Sequence, residues 1–526
     1  MRCQFFSIFF MYMIQKVKTY ANVGLEWHEI IVEADSSKSL PTIEIVGLPD
    51  AAIKESKERL RATFRNVGIQ LPNRKIVLNL SPSDIRKVWT GFDVPMAVAI
   101  LFLIFEDKIT PPQNEYLFFG ELWLDGNVKR VNGLLPSVIS AINNGYKHFF
   151  VPEENVYELE YVPGIWIYPI RSFDQIVEYF LMRKPFHCIN QAKDIETLYQ
   201  KSDVFEVDFA HIKGQLIAKR ALAIAAAWGH NIIMIGAPGS GKTLLSKALP
   251  SILPPLWFEE ILEVSQIYSL VGKLHKDVPL ITKRPFRQVH HTASKISIVG
   301  GGSHLTPGEV SLAHKWILFF DELPEFPREV LEVLRQPLED RSVVISRVAG
   351  TIQYPASFMF VGAMNPCKCG YYKDSEKWCV CSLIDIKRYQ SKISWPLLDR
   401  IDMLLEIPRE DIDKILNNST EETSLNIRDK VINAWKIQQK RFIWLNISSN
   451  SQITSKHIDE LIPLTDDCKN FLSDASRKLT LSTRVVHRTI KLARTIADIQ
   501  GQEFVTINHL AEAMQYRSKT MFVETE

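Results

Sequence analysis

The chain carries almost no excess charge and no long apolar run, and each absence removes a class of protein. Its 62 Lys and Arg residues nearly balance its 60 Asp and Glu residues, so any contact with a polyanion must be local rather than a property of the whole surface. No stretch is apolar for long enough to span a bilayer as a helix. Tandem repeats and low-complexity tracts are absent as well. These absences leave a globular protein without a membrane partner, and its 526 residues predict about two to four domains.

Cysteine is scarce outside one short segment. Four of the seven cysteines form a C-x-C pair, a nine-residue spacer and a second C-x-C pair: Cys367, Cys369, Cys379 and Cys381. This clustering argues against a disulfide framework and favours a reducing, cytoplasmic location. Four thiolates this close in sequence are candidate ligands of a tetrahedral structural Zn²⁺, although the usual spacing is C-x₂₋₄-C. A loop with unligated thiols is the alternative.

The N-terminus carries an apolar run of about ten residues, which lacks the small-residue cleavage site of a signal peptide. It is also too short to cross a bilayer as a helix. We interpret Met13 as the true start of translation, so that residues 1–12 are a non-native extension. A weak signal peptide is the alternative.

The order of strand-like and helix-like patterns divides the rest of the chain. Residues 13–183 mix β-prone runs with helical patterns, including an amphipathic helix at 51–64 and an apolar, buried helix at 94–105. Residues 184–204 have weak periodicity and are interpreted as a linker. Residues 205–408 return to an α/β pattern, whereas residues 409–526 contain only helical patterns. The predicted fold class is a multidomain α/β protein closed by a helical domain.

One motif carries the most specific chemistry. It fits G-x-x-x-x-G-K-[ST] and consists of Gly236, Ala237, Pro238, Gly239, Ser240, Gly241, Lys242 and Thr243. An apolar run before it predicts a buried parallel strand, and apolar residues at helical spacing follow it, which is the context that a P-loop requires. The glycines let the backbone wrap a phosphate at a helix N-terminus. Lys242 would reach the β- and γ-phosphates and Thr243 would ligate Mg²⁺, so the motif predicts a nucleoside triphosphatase that uses ATP and Mg²⁺.

Two further apolar strands end in polar residues that suit such a site. The run at 316–320 leads into Asp321 and Glu322, the pattern in which a buried strand delivers a carboxylate to Mg²⁺ beside the P-loop. Glu322 would then polarise the attacking water. The run at 358–364 ends in Asn365, which would touch the γ-phosphate or its water. A simple turn residue is the alternative for Asn365.

Several long motifs, taken together in one order, resemble the ComM/YifB family of magnesium-chelatase-like AAA+ ATPases. They are VGLPDAAIKESKERLRATFRNVG, NLSPSDIRKV, FFGELWLDGNVKRVNGLLPS, HNIIMIGAPGSGKT, ILFFDELPEFPREVLEVLRQPLED, AMNPCKCG, LLDRID and LSTRVVHRTIKLARTIAD. The resemblance covers nearly the whole chain from Met13. It implies an AAA+ core with a parallel sheet and a C-terminal helical lid. It also implies an ATP-driven homo-oligomeric ring, expected to be a hexamer, that acts on single-stranded or branched DNA as a branch-migration helicase in recombination and natural transformation.

The resemblance also assigns roles to single residues. Those of the nucleotide site are Walker A Lys242 and Thr243, Walker B Asp321 and Glu322, and sensor 1 Asn365. Arg400, within LLDRID, corresponds to the arginine finger that completes the site of a neighbouring subunit. Arg484, within LSTR, corresponds to sensor 2 on the helical lid. From the residues alone, a surface salt bridge is the alternative for Arg400.

Two segments are candidates for contact with DNA. Residues 278–308 contain no acid and four basic residues, namely Lys283, Arg284, Arg287 and Lys295, and the resemblance places them in an insertion that faces the central pore. Cations on a mobile loop would follow a phosphate backbone, and a solvated loop with a chance charge bias is the alternative. Residues 343–354 predict a hairpin with Arg347 near its tip, either as a phosphate contact or as part of a purely structural hairpin.

The N-terminal region also resembles the protease domain of Lon, but without its serine–lysine pair. The corresponding stretches read TGFDVP at 90–95 and LLPS at 134–137, and a nucleophile needs an adjacent activator. We therefore predict a non-catalytic domain that binds DNA or a partner, or that helps to build the ring. A magnesium-chelatase-type motor with a porphyrin client, and an ATP-dependent protease or unfoldase, are the alternative functions.

Overall fold

The computed structural model describes residues 15–23, 26–84, 87, 90–109, 115–200, 205–302, 305–347, 350–374, 376–410, 421–445, 447, 450–479, 481–517 and 522. The proposed extension at residues 1–12 lies outside this part of the chain. The chain divides into two compact units: the first comprises the residues up to 198 with 265–280 and 346–352, and the second comprises 199–264, 281–345 and the residues from 353 onward. Within the described ranges, no helix is long and apolar enough to cross a membrane. The predicted boundaries of core, linker and lid remain predictions.

The first unit is an α/β structure. Its elements are β1 (Gln15–Val23), β2 (Glu26–Ser37), β3 (Thr42–Val46), α1 (Ala51–Asn66), β4 (Lys75–Ser81), α2 (Asp93–Ile104), β5 (Tyr116–Phe118), β6 (Glu121–Leu122), β7 (Val128–Lys129), α3 (Leu134–Asn143), β8 (His148–Pro152), α4 (Val156–Leu159), β9 (Trp166–Ile170) and α5 (Phe173–Met182). A mixed sheet has the strand order β3-β4-β2-β1-β5-β8-β9. A short helix, α6 (Glu196–Gln200), follows at the boundary of the unit.

The burial of these strands and helices explains why sequence patterns predict them. In β4 the residues Ile76, Leu78 and Leu80 are buried and alternate with half-buried neighbours, as expected when one sheet face meets the core. Helix α2 is apolar on all sides because its residues are buried from Asp93 through Phe102. The predicted helices at 51–64 and 94–105 are confirmed, with ends within two residues of those of α1 and α2.

Two segments pack on the first unit in ways that sequence patterns did not predict. In residues 265–280, the Ser269 hydroxyl donates to the Glu158 carboxylate at 2.6 Å, and Leu274 O accepts from Arg130 Nη2 at 2.9 Å. In the predicted linker, Ile189 exchanges two backbone hydrogen bonds of 2.9 Å with Ile167 of β9. Ile189, within the predicted linker at 184–204, is therefore held against the edge of the first unit's sheet.

The second unit contains the P-loop. Its elements are α7 (Leu216–Trp228), β10 (Ile232–Gly236), α8 (Lys242–Ala248), α9 (Phe258–Leu270, whose end lies in the first unit), β11 (Phe286–Val289), α10 (Lys295–Val299), β12 (Gly300–Gly301), β13 (Thr306–Pro307), α11 (Glu309–Leu312), β14 (Ile317–Phe320), α12 (Arg328–Glu332), α13 (Arg335–Asp340), β15 (Ser342–Arg347) and β16 (Gly350–Pro355), whose residues from 346 to 352 belong to the first unit, β17 (Met359–Met364), α14 (Leu383–Gln390), α15 (Trp395–Leu398) and β18 (Met403–Ile407). It ends with α16 (Ser424–Arg441), α17 (Ile458–Leu461), α18 (Asp466–Lys478), α19 (Thr483–Ile499) and α20 (Ile507–Gln515).

The core of this unit is a five-stranded sheet with the order β11-β14-β17-β10-β18, in which every neighbouring pair is parallel. Strands β10, β14 and β17 are buried along their whole lengths, which is why they are continuous apolar runs. Three of the helices after β18 begin at side-chain caps: Thr423, Thr465 and Ser482 each accept from a backbone N–H of the first turn.

One buried junction aligns the strands at the edge where they begin. Asn231 donates its backbone N–H to the Asp402 carboxylate at 3.0 Å and its side-chain amide to Arg400 O at 3.2 Å. Its side-chain oxygen accepts from Phe360 N at 2.9 Å. Asp402 also pairs with Arg488 of α19. Three strands and one C-terminal helix therefore meet at two buried polar residues.

We expect replacement of Asp402 by Asn to destabilise the protein by about 3–5 kcal/mol, because Arg488 would lose a buried partner. Burial alone would raise the pKa of Asp402, but Arg488 and His230 hold that pKa far below its usual range. This stability is therefore present above the unfolded pKa of about 3.9 and is lost as the pH falls. Urea unfolding, followed by tryptophan fluorescence, measures the free energy and its dependence on acid.

The exposed Asp474 provides the matched control for this substitution. Asp474→Asn is expected to change the free energy of unfolding by less than about 0.5 kcal/mol. An Asp402→Asn protein as stable as the Asp474→Asn protein would contradict the proposed importance of the junction.

Candidate nucleotide-binding site

The P-loop turns sharply between β10 and α8. Gly239 and Gly241 have φ values of +80° and +88°, conformations that side chains with a Cβ rarely adopt. A Cβ at Gly236 would lie 2.4 Å from Ile407 O of the adjacent strand. These three glycines are thus required by the backbone path, and the exposed N–H groups at the start of α8 suit an anion.

Lys242 is held where the predicted phosphate would lie. Its ammonium group donates to Gly236 O at 2.8 Å, to Ala237 O at 2.9 Å and to Asn365 Oδ1 at 3.3 Å. The structure therefore brings the predicted Walker A lysine and the predicted sensor residue together. Burial lowers the pKa of Lys242 to about 8, against an opposing effect of the Asp321 charge.

Thr243 and Asp321 form a pair of oxygen ligands. The Thr243 hydroxyl donates to Asp321 Oδ2 at 3.0 Å, and Asp321 Oδ1 accepts from the Glu322 backbone N–H at 3.0 Å. Hydroxyl and carboxylate oxygens are the ligands that Mg²⁺ prefers, so the donor set fits this metal. Glu322 is exposed and has φ +52°, a strained conformation of the kind found at functional sites.

Two residues that sequence reasoning missed also adjoin the P-loop. Gln215, with φ +53°, donates its side-chain amide to Pro408 O at 2.8 Å and lies 3.5 Å from Ser240 O. Arg409 donates to Pro238 O at 3.4 Å. The Gly-Gln pair just before α7 was a usable signal for the first residue, whereas nothing local marks Arg409.

The two predicted arginines lie together, at the opposite edge of the sheet. Arg400 Nη2 pairs with Glu339 Oε2, and Arg484 Nη2 pairs with Glu339 Oε1 at 2.6 Å. The carbonyl of Arg400 accepts from Asn231, which precedes the first residue of β10, whereas the P-loop follows the last residue. A strand of that length spans about 16 Å, so the main chain at Arg400 lies about that far from the P-loop of its own chain.

The four clustered cysteines converge in space. The Sγ atoms of Cys367, Cys369 and Cys379 are separated by 3.3, 3.6 and 3.7 Å, and all four Sγ atoms lie within 4.8 Å of one another. A tetrahedral Zn²⁺ with Zn–S bonds of about 2.3 Å places its sulfur atoms about 3.8 Å apart. Although burial opposes the effect, backbone N–H groups of Tyr371 and Val380 lower the pKa of Cys369 to about 6, and the thiolate is the metal-binding form.

The structure corrects part of the predicted DNA-binding set. Arg284 faces inward: its guanidinium donates to Pro254 O at 2.6 Å and lies 4.6 Å from the ring centre of Trp316. Arg287 belongs to β11 of the sheet, not to a mobile loop, and forms two 2.6 Å hydrogen bonds with Glu309. Arg284 is therefore a packing residue, and the charge of Arg287 is neutralised within the chain.

The remaining DNA candidates lie at the surface or outside the described residues. Lys283 and Lys295 are exposed, and Lys295 begins α10. The predicted hairpin is confirmed as the paired strands β15 and β16, but its turn and the side chain of Arg347 lie outside the described residues. Gly300, in the same stretch as Lys295, is required by the local packing, because a Cβ at this position would lie 2.6 Å from Thr306 O.

The stretches that correspond to the Lon catalytic pair are structural here. Asp93 accepts from Arg59 Nε at 2.7 Å and from Leu122 N at 3.0 Å. Ser137 is buried and donates to Gly133 O at 2.8 Å, one turn back in its helix. Among the described residues of these two stretches, no hydroxyl contacts a lysine that would activate it.

Comparison with known proteins first gives the class. A family model described as "Magnesium chelatase, subunit ChlI" matches residues 208–415. Two further models match "Subunit ChlI of Mg-chelatase" at 32–155 and "Magnesium chelatase, subunit ChlI C-terminal" at 421–517. Together with the P-loop and the parallel sheet, these matches define a magnesium-chelatase-like ATPase of the AAA+ class, for which ATP and Mg²⁺ are the expected cofactors.

Individual relatives then give the family. Competence protein ComM of Haemophilus influenzae is 35% identical over 510 residues, 97% of this chain and 98% of that protein. The YifB protein of Salmonella typhimurium is 37% identical over 510 residues, 95% of this chain and 96% of that protein. The chain belongs to the ComM/YifB family. It is also similar in part to the Lon protease of Rickettsia bellii, 28% identical over 179 residues, 31% of this chain and 22% of that protein.

We expect nucleotide affinity to fall as the pH rises above about 8, by up to about tenfold per pH unit. A bound phosphate stabilises the Lys242 ammonium and raises its pKa, so binding takes up a proton wherever the free site has lost it. Binding of a fluorescent ADP analogue at pH values from about 7 to 9.5 measures this loss. Lys242→Arg serves as the control because a guanidinium does not titrate in this range; equal pH dependence in both proteins would contradict the assignment.

Proposed function

We propose that this protein is an ATP-dependent DNA motor that drives branch migration during recombination and the uptake of transforming DNA. The single observation that carries the ATP-dependent part is the contact of Lys242 with Asn365 and of Thr243 with Asp321 at one edge of the sheet. The DNA part is supported by the name of the Haemophilus relative, a competence protein, and by the family resemblance. Clustered reduced thiols support a cytoplasmic location.

In this proposal the chain's own residues divide the hydrolytic work. The P-loop N–H groups and Lys242 bind the β- and γ-phosphates, and Thr243 and Asp321 hold the Mg²⁺ that neutralises their charge. Glu322 orients the attacking water, which requires only that its exposed carboxylate turn toward the γ-phosphate. Asn365 lies against Lys242 and is placed to hold the same water or the γ-phosphate oxygen.

In the proposed ring, a neighbouring subunit supplies further positive charge to each nucleotide site. The main chain at Arg400 lies about one strand length from its own P-loop, and Arg484 shares Glu339 with it. We therefore propose that both arginines serve catalysis in the site of a neighbouring subunit. A cavity of about 590 Å³, lined among others by Glu339, Arg484, Arg488 and Lys491, opens at this edge and is large enough for a nucleotide. We therefore propose a head-to-tail ring, most simply a hexamer, in which each site lies between two chains.

We also propose that Cys367, Cys369, Cys379 and Cys381 hold a structural Zn²⁺. The observed Sγ separations agree with those of a tetrahedral tetrathiolate site. Zinc has no redox chemistry and no open ligand position in such a site, so its contribution is to the local fold.

A magnesium-chelatase-type motor is the second candidate function, favoured by the descriptions of the three family models. It predicts an ATPase that responds to a porphyrin and partner subunits rather than to DNA. An unfoldase would respond to a protein client instead. The same ATPase measurement separates these possibilities by the identity of the stimulating molecule.

The proposed function predicts that single-stranded or forked DNA stimulates steady-state ATP hydrolysis by the full chain at low salt. Lys242→Ala and Glu322→Gln should abolish the hydrolysis with and without DNA. The double variant Lys283→Ala/Lys295→Ala should weaken DNA binding and reduce the slope of log affinity against log salt by about 1 for each phosphate that the variant no longer neutralises. A rate of ATP hydrolysis that does not change when DNA is added would contradict the DNA motor. It would favour a porphyrin or a protein as the client instead.

A surface variant provides the control for the charge effect. Lys469 lies on α18, is 63% exposed and pairs only with the neighbouring Asp466 among the ion pairs of the described residues. Lys469→Ala removes the same kind of charge and should leave the salt slope unchanged. An equal effect of Lys469→Ala would show that the weaker DNA binding reflects net charge alone.

The ring predicts complementation between two inactive proteins. Arg400→Ala should lose about 10³-fold or more in ATP turnover, as expected for an arginine finger, and Lys242→Ala should be inactive. In an equal mixture, roughly one interface in four joins an intact P-loop to an intact arginine edge if subunits exchange freely. Recovery of ATP hydrolysis in the mixture therefore supports the shared site.

The control for complementation uses the same two substitutions in one chain. A mixture of Lys242→Ala with the Lys242→Ala/Arg400→Ala protein contains no intact P-loop and should stay inactive. If the two proteins of the first mixture assemble together but ATP hydrolysis is not recovered, the proposal that Arg400 acts in the site of a neighbouring subunit is contradicted.

A further inference from the structure

We infer that the four-cysteine site and Arg409 act together as a brace that holds the P-loop in its phosphate-binding shape. This inference rests on the metal site proposed above and extends it from local folding to nucleotide affinity. The cysteine-bearing segment, residues 367–381, directly follows the strand end that presents Asn365. It therefore lies on the nucleotide edge of the sheet, and its contacts with the P-loop can be followed residue by residue.

The first contact is steric. Gly370 lies between Cys369 and the turn of the segment, has φ +88°, and would place a Cβ 2.5 Å from Pro238 Cδ and 2.7 Å from Pro238 Cγ. Real Cβ atoms do not approach other atoms this closely, so the backbone of the cysteine segment and the ring of Pro238 are in direct apposition. Pro238 is the third residue of the P-loop, and its position fixes the turn that exposes the phosphate-binding N–H groups.

The second contact is polar and crosses from the P-loop to the cysteine segment. Arg409 donates to Pro238 O at 3.4 Å and to Glu376 Oε2 at 3.4 Å. Its guanidinium carbon lies 5.3 Å from the ring centre of Tyr371, and Asp374 Oδ2 is 3.5 Å from its Nε. One guanidinium thus bridges the P-loop carbonyl to three side chains of the metal-binding segment.

The segment is also tied to the strand end from the other side. Gln390 of α14 donates its side-chain amide to Pro366 O at 2.8 Å, between Asn365 and Cys367. The segment from Pro366 to Cys381 is therefore fixed at its start by a hydrogen bond and, in this proposal, closed by four metal–sulfur bonds. Without the metal, the described residues between the two C-x-C pairs include no strand or helix to keep Gly370 against Pro238.

The physical consequence is a link between metal content and nucleotide affinity. A loop that is not held must be ordered when the nucleotide binds, and that conformational cost lowers the affinity. Zinc removal is then expected to weaken nucleotide binding while the sheet and helices remain folded. Gly370 and Arg409 are positioning residues, since they act through Pro238 rather than on the nucleotide.

The test measures zinc content and nucleotide binding separately in the full chain. Gly370→Ala should retain zinc, because no ligand is changed, and should weaken binding of a fluorescent ADP analogue by about tenfold, since the displaced P-loop must be reordered when the nucleotide binds. Arg409→Met should weaken binding in the same direction. Removal of zinc from the wild-type protein by a chelator should give a similar loss, with the far-ultraviolet circular dichroism unchanged.

Gly501→Ala is the matched control. Gly501 has φ +68°, but a Cβ added at this position would meet no atom within 4 Å, so this substitution imposes a similar backbone strain without a steric clash. Its zinc content and ADP affinity should equal those of the wild-type protein. If Gly370→Ala fails to fold, Arg409→Met and the chelated wild-type protein still test the proposal.

The outcomes separate the brace from the metal site. If Gly370→Ala and Arg409→Met each bind one zinc ion per chain and bind ADP with normal affinity, the proposed brace is overturned and the zinc site stands. A wild-type protein that contains no zinc after expression in zinc-supplemented medium overturns the metal site on which the brace depends. Weakened ADP binding with zinc retained in both variants, and normal binding in Gly501→Ala, supports the brace.

Discussion

The buried junction of Asn231 and Asp402 is the constraint on which the nucleotide-binding unit depends. It fastens the beginnings of β10, β17 and β18 through hydrogen bonds that water cannot replace in the core. Because parallel strands of similar length start together, they also end together, and their ends deliver the P-loop and Asn365 to one edge. Asp402 further pairs with Arg488 of α19, so the same carboxylate holds a C-terminal helix to the sheet. A single charged group thereby links strand alignment to the arginine-bearing edge.

The sheet consequently has two chemically different edges. The edge at which the strands end holds Lys242, Thr243 and Asp321, and it bears the cysteine site. The edge at which they begin holds Arg400 and Arg484, each paired with a carboxylate oxygen of Glu339. In a single chain these two arginines share that one carboxylate, so a triphosphate presented by a neighbour would have to displace it. This arrangement favours assembly as a condition for efficient hydrolysis, because a neighbouring chain would add the positive charge of its arginine edge to that of the P-loop.

Sequence patterns predict the parts of this structure whose signal is local. The P-loop glycines, the Asp321–Glu322 strand end and the helices at 51–64 and 94–105 follow from spacing, turn chemistry and hydrophobic periodicity. Features that depend on distant partners do not follow in this way. Arg284 lies in a basic stretch that indicates a surface, yet its guanidinium packs on Trp316 and only 9% of its side chain is exposed, because charge in a sequence does not reveal burial. Gln215 and Arg409 have no local signature of comparable strength, since their role comes from contacts with residues far along the chain. The four cysteines are clustered in the sequence, but their sulfur atoms come together in space only because a turn folds the second C-x-C pair onto the first.

The presence of two complementary edges on one chain has an evolutionary consequence. In a head-to-tail ring of identical subunits, a substitution near Lys242 alters every site, and only a change at the arginine edge of the same gene product can compensate for it. Residues about 16 Å apart in one chain are then neighbours across the subunit boundary. Correlated substitutions between the two edges, among relatives of this protein, would therefore record the geometry of the assembly even though no such pair touches within a single chain.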